Sequence, residues 1–284
     1  MNKLPISNVQ LSKADFVILG VPSDKGSRYR KGAAKAPSTI RRIVAKNEVG
    51  SVTRKGKKSL FEPWLEKFTA KAYDYGDVNL DNVEKTIAKI SKTAIPITIG
   101  GDHSITYKVL SGISKEKISL IYLDAHPDFI CSKRNYFGSV ICDIADLKYV
   151  DLKSSVIVGV RAPEDEEIDN IKKSGIKTIS AEEVEKLGIK NTINKIKKIV
   201  KKNVYLSIDL DVTDPAFAPG VTDPVPGGLT SNQLIYMVDE LAKKANVGID
   251  IMEVCPPYDI QDMTSYLAYR LILTAISSKN EGKA

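Results

Sequence analysis

The chain has 284 residues, of which 43% are hydrophobic and 27% are charged, so it contains enough apolar sequence to bury a core. Its 42 Lys and Arg residues against 35 Asp and Glu give a net charge of +7, but the cations are scattered among acids and apolar residues, which argues against a nucleic-acid partner. No apolar run approaches the ~20 residues that span a bilayer, and residues 1–14 lack the apolar core of a signal peptide, so we expect a cytoplasmic protein without a membrane partner.

Apolar runs typical of buried strands alternate along the chain with stretches of helical periodicity. The predicted strands lie at 16–21, 95–99, 117–123, 155–160, 203–208 and 247–252. The predicted helices lie at 37–44, 81–94, 164–173, 192–201, 231–245 and 264–277. This alternation predicts one α/β domain over residues 1–284, with three α/β/α layers around a mostly parallel sheet and ligands at the carboxyl ends of the strands. Residues 48–66, with Gly50, Gly56 and Pro63, are predicted to form a long loop at the cleft mouth.

The chain has three cysteines, Cys131, Cys142 and Cys255. Their number is odd and their spacing is not that of metal ligands, so we expect reduced thiols rather than a disulfide framework. Cys255 follows a candidate site residue, Glu253, and is therefore a candidate oxidant-sensitive thiol.

Both histidines lie in short acidic motifs at the ends of predicted strands. The motifs are GGDHS at 100–104 and DAHPD at 124–128, and a third acidic motif, SIDLDVTDP, occupies 207–215. In an extended chain, alternate side chains point to the same side, so Asp124, His126 and Asp128 can converge on one point. Asp209 and Asp211 repeat that geometry.

Together the motifs supply two imidazoles, including that of His103, and four carboxylates, enough for two divalent ions that share bridging oxygens. Oxygen donors with imidazole favour Mn²⁺, and Fe²⁺, Co²⁺ or Zn²⁺ are compatible, over a cysteine-type structural zinc site. A single Asp near a strand end is more often a turn former or a helix N-cap. Because the motifs contain every His of the chain, we favour the metal interpretation.

In order and spacing, these motifs resemble those of the ureohydrolase (arginase and agmatinase) family, and the resemblance spans nearly the whole chain. It includes GVPSDKG at 20–26 and GVR at 159–161. Three later segments are most similar to agmatinases: DPAFAPG at 214–220, PGGLT at 226–230 and EVCPPYD at 253–259. The resemblance implies an arginase-like fold, a cytoplasmic homo-oligomer (trimer or hexamer), and the hydrolysis of agmatine to putrescine and urea, a reaction of polyamine biosynthesis.

Carried over residue by residue, the resemblance implies two Mn²⁺ ions. One would be bound by His103, Asp124, Asp128 and Asp209, and the other by Asp124, His126, Asp209 and Asp211, so Asp124 and Asp209 bridge. A water shared by the ions would lose a proton near neutral pH and attack the guanidinium carbon. Asp128 would also orient that water, and Glu253 would bind the guanidinium in bidentate fashion. Alternatively, Glu253 is a strand-end acid paired with a nearby lysine.

Two features depart from the family pattern. The family has a catalytic His-Gly where this chain has Phe137-Gly138, and the loss of a proton shuttle is worth roughly 10²- to 10⁴-fold in rate. Lys133 and Arg134 lie between the second motif and Phe137 in sequence. If their side chains point into the site, they would repel the ammonium of agmatine and attract a guanidino acid. The alternative is that both side chains are solvated. The alternatives to an agmatinase are therefore a hydrolase of a guanidino acid, arginine or formiminoglutamate, and a catalytically weak metal-binding homologue.

Overall fold

The computed structural model describes residues 3–46, 70–113 and 115–281. The predicted loop at 48–66, with its Gly50, Gly56 and Pro63, lies outside the described residues. Among the helices of the described ranges, none is long and apolar enough to cross a membrane.

The described strands form one parallel sheet. They are β1 (Phe16–Gly20), β2 (Ala72–Asp77), β3 (Ile95–Ile99), β4 (Ile118–Leu123), β5 (Val156–Val160), β6 (Lys177–Ser180), β7 (Asn203–Asp209) and β8 (Gly248–Met252). Their spatial order is β2-β1-β3-β8-β7-β4-β5-β6, and every neighbouring pair is parallel. The predicted parallel sheet is confirmed. The edge strands β2 and β6 were not predicted, because their partly exposed polar residues lack the apolar run of a buried strand.

Helices cover both faces of the sheet, as predicted. They are α1 (Ala36–Lys46), α2 (Val83–Ile90), α3 (Ile105–Ser111), α4 (Val140–Ala145), α5 (Asp165–Ser174), α6 (Ala181–Leu187), α7 (Ile189–Ile199), α8 (Ser231–Ala242) and α9 (Met263–Glu281). Residues of α1 and α6 to α9 pack into one apolar cluster, and residues of α2 to α5 pack into the other. The short helices α3, α4 and α6 were not predicted, because six or seven residues give too little periodicity.

The four strands that precede the acidic motifs and Glu253 are adjacent in the sheet, in the order β3-β8-β7-β4. Because parallel strands end at one edge, the residues that follow them meet there. The chain after β1 passes closely over the end of β3: a Cβ on Gly101 would lie 1.7 Å from the carbonyl oxygen of Ser23. Only glycine permits this approach.

Cys131 and Cys142 form a disulfide, so the expectation of reduced thiols was wrong for this pair. The chain after Cys131 turns back into α4 and brings the two Cα atoms to 5.5 Å, a separation that cannot be read from the spacing in sequence. Cys255 is a free, buried thiol. Burial raises its pKa to about 12, which argues against oxidant sensitivity because little thiolate forms.

Candidate active site

The first group of predicted ligands surrounds His103, which follows β3 and is fully buried. Its Nδ1 lies 3.0 Å from Oδ2 of Asp209, 3.1 Å from Oδ2 of Asp124 and 3.6 Å from Oδ2 of Asp128. Three carboxylates from the ends of β4 and β7 thus face one ring nitrogen. The ligand atoms of His103, Asp124 and Asp128 lie within 4.8 Å of one another, close enough to bind one ion.

The second group surrounds His126. Its Nδ1 lies 3.0 Å from Oδ2 of Asp211 and 3.5 Å from Oδ1 of Asp124. The carboxylate of Asp124 therefore presents one oxygen to each histidine, the arrangement expected of a bridging ligand. Oδ1 of Asp209 instead accepts the Asp211 N–H at 2.8 Å, and its bridging role stays a prediction.

The donor set fits divalent cations. Oδ2 of Asp124 is buried and accepts no hydrogen bond, although His103 Nδ1 lies 3.1 Å away. Five buried acids meet two histidines at this edge of the sheet: Asp124, Asp128, Asp209, Asp211 and Glu253. Such an excess of buried negative charge is costly without cations, and carboxylate oxygen with imidazole is a typical donor set for Mn²⁺ and related ions.

The acidic surroundings set the protonation of the cluster. Burial alone would lower the pKa of His103, but the adjacent carboxylate of Asp124 outweighs it and raises that pKa to about 9. Burial and the charge of Asp211 raise the pKa of Asp209 well above its usual range. Burial and the charge of Asp124 likewise raise the pKa of Asp128 well above its usual range. In the absence of metal, protons therefore supply part of the positive charge that cations would bring.

Behind His103, a chain of hydrogen bonds fixes the imidazole. Its Nε2 lies 2.8 Å from Oγ of Ser207, whose hydroxyl donates to Oδ1 of Asp250 at 2.6 Å. The other Asp250 oxygen accepts hydrogen bonds from Thr106 and Tyr205. Metal-binding histidines typically have such a partner on the second ring nitrogen. Sequence analysis missed Asp250; the available signal was an acid three residues before Glu253 in an apolar strand.

Tyr122, at the end of β4, was also missed because the strand reads as uniformly apolar. Its ring stacks on that of His103, with centroids 4.5 Å apart and planes at 10°. Its hydroxyl donates to Oδ2 of Asp128 at 2.5 Å and lies 3.0 Å from His103 Nδ1. Tyr122 therefore holds both residues in place.

Glu253 lies beside the cluster, and within the described parts of the chain it forms no ion pair with a lysine. Its Oε1 accepts the main-chain N–H of His103 at 2.7 Å, and its Oε2 accepts the hydroxyl of Thr222. Burial and the charge of Asp102 raise its pKa to about 8. Glu253 and Asp128 both have positive φ, 63° and 50°, and such strain is concentrated at functional sites.

The loop after the second motif does not point its cations at the cluster. Of the two alternatives for these cations, inward pointing does not apply: Arg134 pairs with Asp143 at 2.5 Å and Asp146 at 2.6 Å, and Lys133 is exposed. Phe137 is half-buried, and its N–H donates to the carbonyl of Gly26 at 3.3 Å. The family resemblance predicts a catalytic histidine at this position, where Phe137 carries no titratable group.

The sequence profile of the arginase family matches residues 14–277. Proclavaminate amidinohydrolase of Streptomyces clavuligerus is 32% identical over 273 residues, which cover 89% of this chain and 84% of that protein. An agmatinase of Enterobacter sp. strain 638 is 32% identical over 279 residues, covering 92% of this chain and 86% of that one. The crystal structure of the agmatine ureohydrolase of Thermoplasma volcanium superposes with a TM-score of 0.86 at 29% identity, covering 100% of this chain and 96% of that chain.

Proposed function

The chain belongs to the arginase family, hydrolases of the carbon–nitrogen bonds of amidines, and we propose that it releases urea from a linear guanidino compound at a site for two divalent ions. The observation that carries this proposal is the buried carboxylate of Asp124, which presents one oxygen to His103 and the other to His126. A shared carboxylate between two imidazole–carboxylate groups is the geometry that a pair of ions requires.

We propose Mn²⁺ as the ion, on the chemistry of the donors. The two proposed ligand sets are His103, Asp124, Asp128 and Asp209 for one ion, and Asp124, His126, Asp209 and Asp211 for the other. When bound, two such ions supply the Lewis acidity that makes a water molecule acidic near neutral pH.

The chain's own residues then position the reactants. Asp128, held by the Tyr122 hydroxyl, is proposed to accept a hydrogen bond from the attacking water and to orient it. Each oxygen of Glu253 has a second lone pair beyond its bond to His103 or Thr222, so the carboxylate can still bind a planar guanidinium. Phe137 carries no proton, so we expect the proton needed by the leaving amine to arrive through water.

Motif similarity and the agmatinase relative favour agmatine as substrate, with putrescine and urea as products. The proclavaminate amidinohydrolase relative supports a wider choice of amidino compounds. From the family resemblance we also propose a cytoplasmic homo-oligomer. The chemistry at the guanidino end does not depend on these choices.

The test is urea release from agmatine, arginine and 4-guanidinobutanoate by protein supplied with Mn²⁺. We expect urea from at least one compound, loss of activity after chelation and its return when Mn²⁺ is added. An Asp124→Asn variant is the matched control, because it keeps the shape of the side chain and removes the shared charge. No urea from any compound, with two ions bound per chain, would favour the alternative of a metal-binding homologue that is catalytically silent.

A further inference from the structure

The loop between β1 and α1, residues 21–35, forms one wall of the site's mouth. The N–H of Gly26 donates to Oδ2 of Asp102 at 2.9 Å, and the carbonyl of Gly26 accepts from Phe137. Farther along, Arg30 donates to the carbonyl of Val221 at 3.4 Å. The loop thus contacts segments that follow β3, β4 and β7, which carry the predicted metal ligands.

This wall is strongly cationic. Residues 21–35 contain five cations and one acid; the cations are Lys25, Arg28, Arg30, Lys31 and Lys35. The acid, Asp24, uses Oδ2 to accept the N–H of Gly32 at 2.9 Å. Within the described parts of the chain, none of the five cations pairs with a carboxylate, in contrast to Arg134. Their charge therefore remains available to a ligand.

Arg28 is the cation best placed to act on a substrate. Its guanidinium carbon lies 4.1 Å from the ring centroid of Tyr136, whose ring is edge-on to that of Phe137 at 5.6 Å. Stacking covers one face of the guanidinium and restricts its motion, but leaves the N–H groups at its edge free. A fixed guanidinium with free edge donors is the usual partner of a carboxylate, which it binds through two parallel hydrogen bonds.

Within the described ranges, the acids near this position already accept main-chain N–H groups. The Glu164 side chain caps α5, and Glu167 accepts the main-chain N–H groups of Phe129 and Glu164. Asp223 lies on the metal side, with Oδ2 3.7 Å from Nε2 of His126. Arg30 adds a further fixed positive charge, stacked 4.6 Å from the ring centroid of Tyr258. The mouth beside Tyr136 therefore presents cations held against aromatic rings, next to acids whose oxygens already accept main-chain N–H groups.

We infer that the far end of the substrate carries a carboxylate and that Arg28, stacked on Tyr136, is the specificity-determining residue that binds it. The substrate class is then an ω-guanidino carboxylic acid in place of the agmatine that motif similarity favours, and this inference rests on the proposed function for the guanidino end. The ammonium of agmatine would instead meet the like charge of Arg28.

The test compares 4-guanidinobutanoate with agmatine, which carry the same guanidino group on short chains that end in opposite charges. The wild-type protein with Mn²⁺ should give at least a tenfold higher kcat/KM for the acid. Arg28→Gln should lower kcat/KM for the acid by about tenfold or more, mainly through KM, and should raise kcat/KM for agmatine, because the charge that repels its ammonium is removed. Lys25→Gln is the matched control: it removes the same charge from the same loop without the aromatic contact, and should have little effect.

Two results would overturn the inference while urea is still produced. One is a wild-type preference for agmatine. The other is an Arg28→Gln variant that behaves like Lys25→Gln or that loses activity equally on both compounds. No urea from either compound, with two ions bound, overturns the proposed function and this inference with it.

Discussion

Nε2 of His103 lies 2.8 Å from the hydroxyl oxygen of Ser207, and that hydroxyl gives its own proton to Asp250 at 2.6 Å. Because the Ser207 proton is engaged, its oxygen is left to accept a hydrogen bond from the N–H on Nε2. When the ring loses its second proton to a cation, Nδ1 is then the atom with a free lone pair, and it faces the carboxylates of Asp124 and Asp209. The tautomer that binds a cation is thus selected from behind the site.

Ser207→Ala should therefore weaken Mn²⁺ binding by about 10- to 100-fold at one of the two positions, because His103 loses the partner that fixes its ring. Isothermal titration calorimetry of metal-free protein with Mn²⁺ measures this affinity. Ser119→Ala is the control. Ser119 is a buried serine at the end of β4 that lies away from the metal ligands, and its hydroxyl is hydrogen-bonded to that of Ser154 at 2.8 Å. An equal loss in both variants would mean that the Ser207 effect is one of general packing.

Asp124→Ala should lose more than one ion per chain, because its carboxylate faces both histidines. His103→Ala should mainly empty one position, because its Nδ1 contacts only the first group. Metal analysis of the purified variants distinguishes the two. Full two-ion occupancy in Asp124→Ala would disprove the bridging assignment.

Glu253→Gln should leave the metal content unchanged and lower kcat/KM by about 30-fold, a loss of about 2 kcal/mol in transition-state stabilisation, because a neutral contact replaces a charge-assisted pair with the guanidinium. The amide can still accept the N–H of His103 and contact Thr222, so the local structure should persist. Steady-state kinetics on the best substrate make this measurement. Wild-type values would show that Glu253 only supports the His103 backbone.

Phe137→His tests the departure from the family pattern. If the absence of a proton carrier limits turnover, the histidine should raise urea release and introduce a pH dependence near the ordinary His pKa of ~6.5. The pH profile of kcat, compared with that of the wild type, is the readout. A loss of activity on every guanidino compound, with metals still bound, would mean that Phe137 shapes the pocket instead.

The sequence predicted the central strands and the metal motifs because both depend on local patterns. Buried parallel strands are continuous apolar runs, and carboxylates with histidine at their ends are visible one strand at a time. The partly polar edge strands β2 and β6 lack that run and were missed.

What sequence reasoning missed at the site depends on the order of strands in space. Ser207 and Asp250 meet because β7 pairs with β8. Tyr122, near the carboxyl end of β4, stacks on His103, which follows the non-adjacent strand β3. The Cys131–Cys142 disulfide likewise depends on the turn that leads into α4. With only six residues, α4 is too short to be predicted from its sequence pattern, so the turn before it was not predicted either. Pairing between distant segments is set by tertiary packing, which one sequence does not display.

Urea release should require two ions held by one shared cluster, and stepwise addition of Mn²⁺ to chelator-treated protein, with bound metal and urea both measured, tests this. Binding should saturate at two ions per chain, with full urea release only when the second position fills. Full activity with one ion, or unchanged activity in the presence of chelator, would contradict it.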